Sequence, residues 1–268
     1  KFRIEVWPDE LPPPKNLLIE KIRHIDGLIC LLTEQIDREV IDAAGLQLRG
    51  ISQIAVGYNN IDIKAATEKG IYVTNTPGVL TDTTADFAFT LLMAVARRVA
   101  EADRYVKSGK WKVPWDLMMM VGQDIWGKTI GIIGLGRIGS AVAQRAKGMN
   151  MKILYYDVYR NEQTEKEVGA KYVSLETLLK ESDFVTVHVP LIPSTHHLIN
   201  EDHLKLMKKT ACLINTSRGP VIDERALYKA LKEGWIWAAG LDVWEDEPTS
   251  LNNPLLRLEN MTAAPHIS

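Results

Sequence analysis

Residues Thr129–Asp157 read TIGIIGLGRIGSAVAQRAKGMNMKILYYD, and the fold of the whole chain follows from this stretch. Ile130 to Ile133 is a short β-branched run of the kind that forms a buried parallel strand. Gly134-Leu135-Gly136-Arg137-Ile138-Gly139 follows. Ala141, Val142, Arg145 and Ala146 then fall at helical spacing, until Gly148 and Asn150 stop the helix. A second strand, Lys152 to Tyr156, ends on Asp157. Gly134 permits the tight strand-to-helix turn. Gly136, without a Cβ, lets a pyrophosphate approach the backbone, and Gly139 lets helix and strand pack. Unpaired N–H groups and the dipole at the helix start favour an anion. Asp157 stands where it can accept hydrogen bonds from ribose hydroxyls. A lone GxGxxG also marks plain turns, but strand, helix, second strand and acid in this order favour a dinucleotide site.

The 268 residues suffice for one large or two smaller domains, and 46% hydrophobic and 25% charged residues are ordinary for a globular protein. A net charge of −2 with mixed signs gives no support to nucleic-acid or membrane-surface binding. Cys30 and Cys212 sit in apolar, strand-like runs and read as buried free thiols in a reducing cytoplasm. No stretch reads as a bilayer span, and KFRIEVWPDE does not read as a signal peptide.

Before the glycine stretch, strands are expected at Phe2–Trp7, Gly27–Leu32, Leu48–Val56 and Ile71–Val73. Helices are expected from a cap at Asn16 to about Ile25, over Asp37–Ala44 and over Ile61–Lys69. This is a small parallel α/β domain. Pro77-Gly78 marks a break. Thr83 and Asp86 have capping spacing, and one long helix with Phe87, Leu91, Val95 and Val99 on a stripe runs to near Gly109. Lys110 to Gln123 is irregular, and its Trp111, Trp115 and Met118–Met120 read equally as an interface or as packing beneath a loop. Further strands are expected at Tyr172-Val173, Phe184–Val189, Ala211–Ile214, Ile236–Leu241 and Met261–Ala264. Helices are expected after a Ser174 cap, over Asp202–Met207 and over Asp223–Lys232. The second block thus has seven strands in a doubly wound parallel (Rossmann) sheet, with ligands at the strands' carboxyl ends.

Three strand ends carry chemistry. Asn215-Thr216-Ser217-Arg218-Gly219 follows the first. Asp242-Val243-Trp244-Glu245-Asp246-Glu247-Pro248 follows the second, and Pro265-His266-Ile267-Ser268 the third. An arginine, a carboxylate cluster and a histidine suit reduction of a 2-keto acid by hydride transfer. Histidine can protonate the nascent C2 alkoxide, a carboxylate can orient the ring and favour its charged form, and arginine can hold the substrate carboxylate. Singly, Arg218 would read as a surface residue and Glu247 as a solvated charge; their convergence favours function. Glu245 and Asp246 are expected to be solvated, and His196 and His197 to lie in a surface loop. His188 is expected to be packed, and His24 and His203 to be ordinary helix residues. No histidine has metal-ligand spacing.

The segments AVGYNNIDI (Ala55–Ile63), NTPGVLTDTTADFA (Asn75–Ala88), GKTIGIIGLGRIG (Gly127–Gly139), SDFVTVHVPL (Ser182–Leu191), LINTSRGPVID (Leu213–Asp223), AAGLDVWEDEP (Ala238–Pro248) and APHIS (Ala264–Ser268) cover nearly the whole chain. In them the chain resembles the D-isomer-specific 2-hydroxyacid dehydrogenases, closest to the glyoxylate/hydroxypyruvate reductase branch. The resemblance implies a Rossmann cofactor domain over 76–266 including the long linking helix. It also implies a smaller flavodoxin-like α/β substrate domain over 1–75, and at 267–268 the start of a return to that domain. Arg218 matches the substrate-binding arginine, Glu247 the glutamate paired with the histidine, and His266 the acid/base. Val56 and Gly57 match the loop whose N–H groups hold the substrate carboxylate. Trp115 matches a tryptophan reaching a neighbouring subunit's pocket in a homodimer. The cofactor set comprises Gly134, Leu135, Gly136, Arg137, Ile138, Gly139, Asp157, Val189, Pro190, Thr84, Thr216, Ser217, Arg218, Asp242, which would face the nicotinamide amide, His266 and Ser268. The family begins with a strand before Phe2 and continues past His266 with a helix, so the chain is expected to be a fragment.

Asp157 would repel a 2′-phosphate and argues for NAD. Members of the branch often carry Ser-Arg there and prefer NADP, and Arg160 offers a partial alternative. The expected activity is NAD(P)H-dependent reduction of glyoxylate or hydroxypyruvate. Alternatives are a D-lactate, branched 2-hydroxy acid or 3-phosphoglycerate enzyme, though Tyr58-Asn59-Asn60 offers no basic residue for a phosphate. A further alternative is an NAD-sensing scaffold like the corepressors that resemble the family.

Overall fold

The computed structural model describes residues 3–268. The chain divides into two compact units, Lys1–Val79 and Leu80–Ser268.

In the first unit, β1 (Gly27–Cys30), β2 (Gly50–Gln53) and β3 (Tyr72–Thr74) form a parallel sheet in that order. Helices α1 (Lys15–Ile22), α2 (Arg38–Ala43) and α3 (Ile63–Glu68) pack their apolar sides on it. Ile22, Ile36, Val40, Ile41 and Ile51 form the fully buried centre. Asp37 and Asp62 cap α2 and α3 by accepting hydrogen bonds from Val40 N–H and Ala65 N–H. Two expectations fail here. Asn16 does not cap α1: the helix starts at Lys15, after Pro14 at φ −53°, and ends at Ile22. The alternating segment at the start is not a strand over residues 3–7, and its Phe2 end lies outside the described residues. A strand needs a ladder partner, and residues 3–7 pair with neither edge strand of this sheet, β1 or β3. Ile4 and Val6 are therefore left exposed.

The second unit opens with α4 (Thr81–Ala96) and α5 (Val99–Lys107), where the sequence reading expected one helix to near Gly109. The break is at Arg98, at φ 55°. Gln123 N–H donates to Ala96 O (2.8 Å), and Arg98 donates to both Glu101 oxygens (2.8 and 2.7 Å) and to Val121 O. The returning 121–123 segment thus takes a terminal carbonyl of α4, and the chain kinks to let it in. The Thr83/Asp86 cap also fails. The helix already begins at Thr81, and Asp86 accepts instead from Arg145 (2.6 Å). On the expected stripe, Leu91 and Val95 are buried and Val99 is exposed.

The remaining elements alternate: β4 (Thr129–Ile133), α6 (Arg137–Gly148), β5 (Lys152–Tyr156), α7 (Glu162–Val168), β6 (Lys171–Tyr172), α8 (Leu175–Glu181), β7 (Phe184–Val187), α9 (Glu201–Leu206), β8 (Cys212–Asn215), α10 (Glu224–Lys232), β9 (Ala238–Leu241) and β10 (Met261–Ala263). Among the described residues the strands form a seven-stranded parallel sheet in the order β10-β9-β8-β7-β4-β5-β6. This is the doubly wound Rossmann arrangement that the sequence predicts. One core, with α4 and α6, covers one face; a second, with α8, α9 and α10, covers the other. Every residue of β7, β8 and β9 is buried, as parallel strands covered on both faces must be. The helix α7 escaped sequence reading. Asn161 caps it by accepting from Thr164 N–H, and Gly169 at φ 73° ends it. The strand order reverses between β4 and β7, which opens a crevice at their carboxyl ends. Among the described residues, no helix is long and apolar enough to cross a membrane.

Candidate active site

The glycine turn lies at that crevice. Gly134, at φ 93°, leaves β4 directly beneath β7: a Cβ on it would lie 2.7 Å from His188 O and 2.9 Å from Val189 Cγ1. Gly139 sits in the first turn of α6, where a Cβ would be 2.0 Å from Gly134 O. These two glycines are required by packing. Gly136 is different: a Cβ there meets nothing within 4 Å among the described residues. Its lack of a side chain serves no internal contact and leaves space above the first N–H groups of α6, which have no carbonyl one turn earlier to bond. A diphosphate fits that space and polarity. Leu135, by contrast, buries its side chain and donates its N–H to Asp157 Oδ2 (2.7 Å). Asp157 therefore ties the turn to the end of β5 while remaining half-buried. Arg137 and Ile138 form the first turn of α6. Arg160 is held by Glu165 through two hydrogen bonds (2.7 and 2.9 Å), and Tyr155 OH also donates to Glu165. Arg160 and then Tyr155 hold the Glu165 carboxyl down at about 2.

Arg218, Glu247 and His266 follow β8, β9 and β10, three adjacent strands. His266 Nδ1–H donates to Glu247 Oε2 (2.7 Å), and Glu247 Oε1 accepts from Trp244 N–H (2.9 Å). Burial pushes the Glu247 carboxyl up, but the hydrogen bonds from His266 and Trp244 and the charges of His266 and Arg218 outweigh it. The net shift is below the usual carboxylate range. Arg218 is partly buried; burial lowers its pKa and Glu247 opposes the shift. A guanidinium keeps its charge through such a shift. Asn215, fully buried, shapes the preceding turn: its Oδ1 accepts from Ser217 N–H and Oγ–H (3.0 and 2.9 Å), and its Nδ2 donates to Arg218 O (2.9 Å). Sequence reading missed Asn215, although an Asn at a strand end is an Asx-turn signal. Thr216 Oγ1 is buried without a hydrogen-bond partner among the described residues.

His266 adopts φ 57°, a region that costs a side-chain-bearing residue energy. Asp242 holds it there. Asp242 O accepts from His266 N–H (2.8 Å), and its fully buried carboxylate accepts from Ile267 and Ser268 N–H (3.0 and 2.9 Å). Thr84 Oγ–H then donates to Ser268 O (2.9 Å). Residues 267–268 are thus bonded within the second unit. Val189 and Pro190 follow β7, and Val189 lies beside Gly134. Glu245 departs from expectation, half-buried rather than solvated, and it pairs with His197, which lies with His196 in the expected surface loop. The pair sits 3.0 Å apart (His197 Nε2 to Glu245 Oε1), with the ring of His196 stacked on His197. His188, its Nε2 2.9 Å from Thr186 Oγ1, is pushed down to about 4 by burial. His24 lies just past α1, while His203 is within α9.

In the first unit, Val56 and Gly57 are half-buried in the loop after β2. Asn75 Nδ2 donates to Val56 O (2.8 Å), and Gln53 Nε2 donates to Gly57 O (3.2 Å). Trp115 is 74% exposed, and Trp111, Leu117 and Met118 are exposed with it, so these side chains do not pack beneath a loop, while Met119 and Met120 are half-buried. Among the described residues, no group of three or more His, Cys, Asp or Glu side chains could hold a metal ion.

A family model described as "D-isomer specific 2-hydroxyacid dehydrogenase, NAD binding domain" matches residues 89–268. A glyoxylate reductase of Korarchaeum cryptofilum is 62% identical over 265 residues, which is 99% of this chain and 80% of the relative. A glyoxylate reductase of Thermococcus litoralis is 57% identical over 99% of this chain and 81% of the relative. The crystal structure of a glyoxylate reductase from Paecilomyes thermophila is similar with a TM-score of 0.85 and 34% identity. It covers 94% of this chain and 78% of its own.

Proposed function

The chain belongs to the D-isomer-specific 2-hydroxyacid dehydrogenase family, and on that premise we propose that it reduces glyoxylate or hydroxypyruvate to the D-2-hydroxy acid, with NADH as the preferred donor. The observation that carries the reading is the 2.7 Å His266–Glu247 contact beside Arg218, at the same end of the sheet as the glycine turn. The identity with glyoxylate reductases supports the choice of substrate.

The cofactor, when bound, supplies the hydride. The chain's own residues do the rest. The Gly136 cradle and the α6 N-terminus bind the diphosphate, and Asp157 accepts from the ribose. The Arg218 guanidinium holds the substrate carboxylate and polarises the ketone. With Nδ1–H committed to Glu247, His266 offers Nε2–H to the C2 oxygen and donates that proton as the carbon is reduced. Glu247 fixes the ring's orientation and favours its charged form before the transfer. In the reverse direction His266 takes the proton back.

Exposed Trp111, Trp115, Leu117 and Met118 support a homodimer built on this segment. Sedimentation at micromolar concentration should give twice the chain mass, and Trp115→Ala should weaken the assembly. Two buried cysteines outside any disulfide support a reducing, cytoplasmic setting.

The deciding test is steady-state reduction of a panel of small 2-keto acids with NADH and NADPH. The highest kcat/KM should fall on glyoxylate or hydroxypyruvate with NADH. Absence of turnover on every 2-keto acid would end the reading; a best substrate such as pyruvate or a branched keto acid would keep the chemistry and correct the substrate.

A further inference from the structure

The turn Trp244–Glu247 delivers Glu247, yet Glu245 carries most of the contacts that tie the turn to the rest of the unit. Glu245 and Glu224, at the start of α10, exchange two hydrogen bonds. Glu245 N–H donates to Glu224 Oε1 (2.6 Å), and Glu224 N–H donates to Glu245 Oε1 (3.1 Å). The same Glu245 oxygen is 3.0 Å from His197 Nε2. Asn253 Nδ2 donates to Glu224 Oε2 (2.8 Å) and to Thr249 Oγ1 (3.0 Å), so the far side of the turn is joined to the same acid. His197 is itself fixed: its N–H donates to Pro220 O (2.8 Å), its φ is 48°, and the His196 ring stacks on it. On the other flank, Gly219 presses so closely on the turn that a Cβ would lie 1.9 Å from the Trp244 carbonyl carbon and oxygen.

We propose that Glu245, clamped by Glu224 and His197, is a positioning residue for the reduction: it fixes the Trp244–Glu247 turn so that Glu247 stays against His266. This rests on the reading of His266 and Glu247 as the acid/base pair. The Glu247–Trp244 hydrogen bond closes the turn on itself and cannot by itself set where the turn lies. Buried Trp244, whose Nε1–H donates to Ala264 O (3.1 Å), holds one end of the turn, and the Glu245 contacts hold its middle. They anchor it to α10 and to the loop holding His197, while Gly219 brings the residue after Arg218 into direct register with it. A shift of about 1 Å at such a site costs about 10²-fold in rate.

The charged groups facing Glu245 are His197 from its loop, Glu224 from α10 and neighbouring Asp246. Those facing Glu247 are His266 and Arg218. None but His266 delivers the proton, so displacement of Glu247 reads out at His266.

The test compares Glu245→Ala, Glu245→Gln and His197→Ala with the unaltered protein, measuring the pH dependence of kcat/KM for the 2-keto acid and the Kd for NADH by fluorescence. Glu245→Ala should lower kcat about ten-fold or more, leave the NADH Kd within two-fold, and move the basic limb of the profile to lower pH, because a displaced Glu247 no longer favours imidazolium. Glu245→Gln, which keeps the accepting oxygen, should restore most of the rate. His197→Ala should shift the limb in the same direction by less, and it carries the test if Glu245→Ala does not fold. Folded variants with an unmoved basic limb would overturn the proposal, whether or not kcat falls, because a purely structural role predicts that result. If the unaltered protein reduces no 2-keto acid, the failure lies with the acid/base reading.

Discussion

His266 Nδ1 and Glu247 Oε2 stand 2.7 Å apart, so the ring meets the carboxylate through Nδ1 and not through Nε2. A carboxylate can only accept, so the proton of that contact belongs to Nδ1, and Nε2 carries the second proton only when the ring is charged. His266→Ala should therefore lower kcat by about 10²- to 10⁴-fold and leave NADH binding intact. Glu247→Gln withdraws the charge that favours imidazolium, and its single amide oxygen can serve only one of the two donors, His266 Nδ1–H and Trp244 N–H, that the carboxylate serves. Its kcat/KM profile should then lose activity at lower pH on the basic side than the unaltered protein does. A Glu247→Gln profile superimposable on the original would remove Glu247 from its role.

Cofactor choice should follow from Asp157 and Arg160 together. A 2′-phosphate would bring negative charge beside Asp157, while the cation that could answer it, Arg160, is engaged by both Glu165 oxygens. NADH should be preferred over NADPH by about ten-fold or more in kcat/KM. Asp157→Ser should narrow the gap. Adding Glu165→Gln should narrow it further, since Arg160 then loses the ion pair and one of its two accepting oxygens. Titration with 2′-phospho-AMP, which needs no turnover, gives the same order independently. A preference for NADPH in the unaltered protein would refute the argument.

Stability should fall on the acid side through His188. Its folded pKa is about 4, against an ordinary imidazole value of 6.5, because burial disfavours the charged ring. Between those values the unfolded chain binds the proton and the folded chain does not, so stability rises with pH across that window. The contribution is fully present above pH 6.5 and is lost as pH falls through 4. His188→Gln, which can still meet Thr186, should flatten the midpoint of thermal unfolding between pH 6.5 and 4. Equal acid slopes in both proteins would assign the loss elsewhere.

The second unit was more legible than the first because its signals were redundant. The run Ile130–Ile133, the glycines and Asp157 each predict the same crossover, and β5 falls where the sequence puts it, Lys152–Tyr156. The alternation in residues 3–7 is as good a strand pattern as any, but pattern supplies only the apolar face, and pairing is a tertiary property. The break at Arg98 was hidden for the same reason, since its cause, the 121–123 segment meeting Ala96 O, comes from far along the chain. Glu245 illustrates the limit within the site. By composition it is one of several charges before Pro248. What singles it out is Glu224 and His197, which sequence spacing does not bring near it.

The glycines of the turn can be told apart by substitution. Gly139→Ala would set a methyl 2.0 Å from Gly134 O, a backbone atom that cannot turn aside, so the helix must lift from the strand. That variant should lose stability and cofactor affinity together. Gly136→Ala places its methyl in open space, in an extended conformation with negative φ (φ −74°, ψ −157°). Its melting temperature should stay near the original or rise slightly, because the unfolded chain loses freedom. Its NADH affinity should fall about ten-fold or more, about 1.4 kcal/mol, because the methyl occupies the approach of the diphosphate. Paired melting and NADH titration of the two variants separate the roles. A Gly136→Ala protein that binds NADH as well as the original would mean that the space above Gly136 is not where the diphosphate lies.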